Sequence, residues 1–239
     1  MTKHAGVLAA ATVLQHVPDL VRYGSKPSRE QERFAAAAGG LRSYPEAVAY
    51  PPHQAFIGNL PPEQLWQIER PWWSGASGGE AAGQHGEILP QEVFLERLVA
   101  ADQFDLIRLG NVPDLTAGGL PLVSGGETIG TIGAGDPHDP ALRAEVLLEN
   151  LACKASGTHA VEFLLQANDI DPRSVDYVLA AGEEAVGDRY QRGGGALAKA
   201  IAEASGLGRA TGSDVKAFCA GPIHALAMAG ALVASDTFD

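Results

Sequence analysis

The pattern of apolar and polar positions divides this chain into two unlike parts. Ala5–Leu14 is an apolar run that predicts a first helix continuing to Val21, with Gly24 as its stop. Residues 25–40 carry charge and end in a run of alanines, which reads as a short helix or a surface loop. Tyr44–Pro71 has no sustained period. Its paired prolines, Pro51-Pro52 and Pro61-Pro62, exclude a long helix and favour extended and turn structure, with a short helix starting at Pro62. Residues 74–86 are low in complexity and read as flexible chain. Amphipathic spacing returns at Pro90–Ala101, where Val93, Phe94, Leu98 and Val99 predict a helix; Phe104–Leu109 suits a strand.

Past a Gly/Pro-rich connection to Gly125 the periods alternate. Thr128–Gly133 predicts a strand, Asp136–Pro140 a turn, and Arg143–Ala167 a long helix with a break at Gly157. Val175–Ala180 is a β-branched strand, and Gly193–Gly195 opens a helix from Ala196 to Ala204. From Ser213 a strand places Val215, Ala217 and Cys219 on one side and Lys216 and Phe218 on the other. It breaks at Gly221-Pro222 into a small-residue helix in which Ile223, Leu226, Ala227, Gly230 and Leu232–Val233 recur at helical spacing. The alternation predicts an α/β fold with a largely parallel sheet over 125–239, preceded by an irregular, partly helical region over 1–124.

Composition narrows the partners. At 239 residues and 46% hydrophobic, the chain has material for a sizeable core. A net charge of −12 argues against nucleic acid, which needs a basic surface. Two distant cysteines make neither a disulfide framework nor a zinc site, so no metal is expected and a reducing cytoplasm is the natural compartment. The Ala5–Leu14 run is too short to span a bilayer, and no membrane partner is expected.

The chemistry concentrates on Cys219. It sits where a strand hands over to a helix N-terminus, whose unpaired N–H groups and dipole favour a thiolate. From spacing alone, an activated nucleophile and a small buried residue under a helix are equally good readings. Backbone N–H groups at Cys219 and the helix start, Ala220 and Gly221, offer an oxyanion site. His224 reads as pocket-lining or structural, with a base as the other reading; Cys153 reads as helix packing. Gln191-Arg192-Gly193-Gly194-Gly195 before a helix is either an anion nest, with Arg192 adding charge, or a flexible glycine turn. The acidic set Glu183, Glu184 and Asp188 sits after the Val175 strand and either positions Arg192 or faces solvent. Gly126–Gly135 lacks the Lys-Ser/Thr ending of a nucleotide loop.

Two sets of residues carry a resemblance. Asn168–Val178 followed by Ser213–Pro222 resembles the thiolase-like superfamily in its ketoacyl-synthase III branch. Tyr50–Asn59, Glu183–Asp188, Gln191–Gly195, Thr211–Asp214 and Phe218–Pro222 look like the beta-subunit family of component C of glycine/sarcosine/betaine reductase complexes, over nearly the whole chain. The resemblance implies a thiolase-like half, the N-terminal one, with Cys219 matching the nucleophile by position. It implies an acyl thioester on the way to acetyl phosphate, phosphate as co-substrate and no tightly bound cofactor. The implied partners are a phosphate-acetyltransferase-like second subunit and a selenoprotein that supplies the acyl unit from a carrier thiol or selenol. Whether the acetyl group rests on Cys219 or on a thiol of the partner is left open by it. Thiolase-like enzymes also need a second half, so a chain completing the fold, or truncation, is expected. Two other functions are carried forward: a non-catalytic scaffold docking the phosphate-acetyltransferase-like partner, and a coenzyme A-dependent, ketoacyl-synthase III-like acyltransferase.

Overall fold

The structure, a computed structural model, describes residues 4–23, 32–33, 41–72, 78–110, 118–136, 138–182 and 196–238. Its first regular element is a strand, β1 (Thr12–Gln15), followed by a short helix, α1 (Pro18–Tyr23). The long opening helix expected over residues 1–24 does not form over the described residues. β-branched Thr12 and Val13 pair in parallel with β3 (Gly86–Leu89), and Pro18 starts a new helix.

The proline-dense stretch is more helical than its prolines suggested. It folds as α2 (Tyr44–Ala49), α3 (Pro51–Phe56) and α4 (Pro62–Leu65), each with a proline in its first turn. There the missing N–H costs no intrahelical bond, so the prolines begin helices and limit their length. Buried Gln54 ties these helices to the following chain. Its Nε2 donates to Val48 O and Glu80 O, and Asn59 Nδ2 donates to its Oε1 at 2.9 Å. The segment expected to be flexible holds, over its described residues, β2 (Ala82–Gly83) in an antiparallel pair with β3.

The main core joins this region to the rest. Helix α5 (Gln91–Ala101) turns Phe94, Leu95 and Leu98 inward onto a three-stranded antiparallel sheet, order β4-β6-β5. Its strands are β4 (Ile107–Leu109), β5 (Leu120–Ser124) and β6 (Glu127–Ile132). β5 went unread in the sequence, and the boundary expected at residues 124 and 125 falls in the turn of the β5–β6 hairpin, whose strands share one core.

Helix α6 (Ala144–Ala167) closes that core. Leu147, Leu148, Leu151 and Ala155 pack against α5 and the sheet. Leu151 is fully buried, and shortening such a side chain to alanine costs roughly 2–5 kcal/mol. No break occurs at Gly157, where the helix runs on. A β-carbon there would run into Ile201 Cδ1 of the neighbouring helix, so Gly157 permits a close helix crossing. Lys154 is buried and donates from Nζ to Ala101 O at 3.0 Å, satisfying a carbonyl at the C-terminal end of α5. Burial pushes its ammonium pKa down, opposed by Glu203 and Asp102.

The last part is a βαβα unit. β7 (Tyr177–Gly182) pairs in parallel with β8 (Thr211–Lys216), from Tyr177 opposite Thr211 to Gly182 opposite Lys216. Helix α7 (Leu197–Ala204) connects them and α8 (Gly221–Ala234) follows. The α/β class holds. The described strands form three small sheets, however, and within 125–239 only β7 and β8 are parallel to each other; β6 is antiparallel to both its partners.

Two stability predictions follow from this packing. His159 is buried on α6 with its Nε2 2.6 Å from Glu87 Oε1, while Arg97 meets Glu162 at 2.9 Å. Burial holds the His159 pKa below its ordinary 6.5, Arg97 acts in the same sense, and Glu87 and Glu162 oppose. A folded pKa below the unfolded one gives stability that is complete above about pH 6.5 and lost as pH falls through the folded value. Urea midpoints at pH 7, 6 and 5 should therefore fall more steeply for the wild type than for His159→Gln. The second concerns Asp214 in β8, whose two carboxylate oxygens accept from the N–H groups of Leu197 and Ala198, each at 2.9 Å. Asp214→Ala should cost about 1–2 kcal/mol in urea unfolding, with no change in slope.

Candidate functional site

The C-terminal ends of parallel strands are where α/β proteins open their sites. Here they carry both cysteines' surroundings. β8 ends at Lys216, three residues before Cys219, so the strand does not run as far as the sequence suggested. Phe218–Ala220 forms a single 3₁₀ turn that leads directly into α8. Phe218 has φ 47°, a left-handed conformation that an aromatic residue seldom adopts, and its side chain is 70% exposed. Cys219 follows it and is exposed. The reading of a small residue buried under a helix is set aside by this exposure.

Gly221 fixes the turn. A β-carbon on it would sit 3.2 Å from Gly182 O and 3.4 Å from Val215 O. The start of α8 therefore rests against the ends of both strands, as close as backbone permits. The backbone donors expected to hold an oxyanion have acceptors in this state: Ala220 N–H donates to Ala217 O at 3.0 Å, and Gly221 N–H to Phe218 O. With Ala220 as N-cap and Pro222 lacking an N–H, the N–H of Ile223 is the one that remains in the first turn of α8 without an acceptor of the helix's own. His224 is exposed there.

Arg192, Gly193, Gly194 and Gly195, with Glu183, Glu184 and Asp188, lie outside the described residues. The helix they precede is described, and its N-terminal N–H groups at Leu197 and Ala198 are bonded to Asp214. A carboxylate already occupies the place an incoming anion would take at that helix end.

The two faces of α8 differ from the single apolar stripe read in the sequence. Ala225, Ala229, Leu232 and Val233 are partly covered on the strand side. Of the expected stripe, Leu232 and Val233 are thus partly covered, whereas Ile223 and Leu226 are 67% and 63% exposed, with Met228 exposed beside them. The helix has no charged residue.

On the other face of β7 and β8 lies a cleft of about 520 Å³ that the sequence reading missed. One side is the outer face of α6, where Ala152, Cys153, Ser156 and Gly157 line it. The other is the length of β7 from Val178 to Gly182, with Leu197 and Ile201 of α7 as floor and Lys216 at one end. Cys153 is exposed to this cleft. Burial by the surrounding protein pushes its thiol pKa up, Glu149 adds to the rise, and Lys216 opposes it. Glu149, Ala152, Cys153, Ser156 and Gly157 recur at i, i+3, i+4, i+7 and i+8. That spacing was a legible signal for a second helix face. Among the described residues no group of three or more His, Cys, Asp or Glu gathers as a metal site, and no helix is long and apolar enough to cross a membrane.

Comparison with known proteins bears on the whole chain. It is 36% identical to the glycine/sarcosine/betaine reductase complex component C subunit beta of Peptoclostridium acidaminophilum, over an alignment of 272 residues. The alignment takes in 96% of this chain and 53% of that protein, so the chain spans about half the length of the curated relative it matches. The similarity read from the sequence is thus shown, for about half of that subunit. No protein-family model matches the chain, and no solved structure does.

The turn at Cys219 yields a direct test. Phe218→Asn, which tolerates a left-handed backbone and loses little buried surface, should raise unfolding stability by about 1 kcal/mol. Gly221→Val should lower it, because its side chain meets backbone at the ends of β7 and β8. Urea titration of the two variants reads both.

Proposed function

We propose that this chain acts in a glycine/sarcosine/betaine reductase-type complex, where Cys219 accepts an acyl group as a thioester on the way to acetyl phosphate. The observation that carries the reading is the exposed thiol at a strand-to-helix turn, set just after a left-handed Phe218 and just before a helix N-terminus. Strained residues of this kind persist where the surroundings hold them, and they cluster at functional sites. The helix dipole and the first-turn N–H groups favour the thiolate over the thiol. A thioester keeps the acyl carbon activated for attack.

The releasing step balances with phosphate as the second substrate. A phosphate oxygen attacks the thioester carbonyl carbon, a C–O bond forms, the C–S bond breaks, and acetyl phosphate leaves with the thiolate restored. The negative charge that develops on the carbonyl oxygen needs donors. Ile223 N–H is the first-turn group available for it; Ala220 and Gly221 would first have to release their present acceptors.

The partners in this reading are a phosphate-acetyltransferase-like subunit and a selenoprotein that donates the acyl unit. A second role, docking, is supported by α8. A helix apolar on both faces is normally enclosed by protein, and the exposed Ile223, Leu226 and Met228 present a surface for a further polypeptide, such as one equivalent to the remaining length of the relative.

Two experiments separate these roles. Brief iodoacetamide treatment at pH 7, read by peptide mass spectrometry, should label Cys219 at least about tenfold faster than Cys153. Equal, slow labelling would remove the activated nucleophile. In the assembled complex, Cys219→Ala should abolish acetyl phosphate formation. Retention of that activity would place the acyl thiol in the partner and leave this chain as a scaffold.

A further inference from the structure

The cleft beside Cys153 has three properties that do not depend on the role of Cys219. It has room for a small molecule, at about 520 Å³. Its walls are aliphatic: Ala152 and Val161 of α6 on one side, Leu197 and Ile201 of α7 on the other. At one end it holds an ammonium group. Lys216 Nζ lies 3.0 Å from the point where a side chain on Gly182 would begin, so it reaches back over the end of β7. No carboxylate among the described residues pairs with it.

A partly buried cation with no carboxylate partner among the described residues is a favourable place for an incoming anion. Glu149 also lines the cleft, and its carboxylate repels a negative charge placed beside it. A ligand's anionic end is favoured at Lys216, and its apolar body along the aliphatic walls. Cys153 and Ser156 line the α6 side, within the part such a body would cover. The Cys153 thiol is held toward its protonated form there, which makes it a weak donor and a poor nucleophile.

We propose that this cleft is a binding site for a small organic anion with an aliphatic body, an acyl-type ligand whose carboxylate or phosphate end meets Lys216. The site is separate from Cys219 and lies on the opposite face of the β7–β8 pair from α8. It gives the chain a way to hold an acyl compound without bonding to it.

Cys153 supplies the reporter. In the full chain carrying Cys219→Ser, Cys153 is the sole thiol, and its alkylation by N-ethylmaleimide is followed by mass spectrometry. Hexanoate and hexyl phosphate distinguish the carboxylate from the phosphate end; hexanol and inorganic phosphate supply each half of the ligand alone. At ten times its dissociation constant, the bound anion should slow alkylation about tenfold. Hexanol and inorganic phosphate at the same concentrations should leave the rate unchanged. Lys216→Met should abolish the protection, while Glu149→Gln, which removes the repelling charge, should strengthen it. Equal protection by hexanol, protection that survives Lys216→Met, or no protection in either the parent or Glu149→Gln overturns the proposal. Because Cys219 is absent throughout, none of these outcomes bears on the acyl-thioester reading.

Discussion

The architecture depends on one unbroken helix. α6 buries Leu147, Leu148 and Leu151 in the main core near its start, and Leu165 in a second small core with Ala202 and Leu207 near its end. It thereby joins the antiparallel sheet and α5 to the β7–α7–β8 unit. Two polar side chains in its middle are buried, and each has a defined neighbour: Lys154 on the carbonyl of Ala101, His159 beside Glu87. Gly157 removes the bulk that would otherwise hold α7 away. A break at this glycine would separate the two cores, and the cysteine turn would lose its support from behind.

The site region shows how one kind of feature, a helix N-terminus, takes two different fates in a single unit. At α7 the end is satisfied internally, because Asp214 of the adjacent strand supplies a carboxylate to Leu197 and Ala198. At α8 no carboxylate appears in the first turn, Pro222 has no N–H to satisfy, and a cysteine stands one turn ahead. The electrostatic preference for negative charge at a helix start is thus met within the fold in the first case and by no acidic side chain of the first turn in the second.

Much of this was legible in the residues. Strong periodicity placed α5, α6, α7 and the strands β6, β7 and β8 within a few positions, because each buries one face and repeats accordingly. The similarity to the reductase component was also readable, although two of the residues that carried it, Gln54 and Asn59, bond within the fold. What was missed has physical reasons. β1 lies within an apolar run whose pairing partner is more than seventy positions away, so local spacing favoured a helix. β5 contains a proline and borders glycines, which read as a connection. The cleft was hidden because its lining is small residues on the outer side of a helix whose inner side already explained the pattern. The apolar stripe of α8 was found, but periodicity reports that a face is apolar without reporting which way it turns.

That stripe has a consequence for how the chain is made. A polypeptide that finishes folding with an uncharged, greasy helix on its outside has a fate set by encounter rates as well as by its own free energy. Exposed apolar side chains such as Ile223 and Leu226 favour contact with other polypeptides more strongly as concentration rises. Stoichiometry and timing of synthesis therefore belong to its folding problem, alongside temperature and pH.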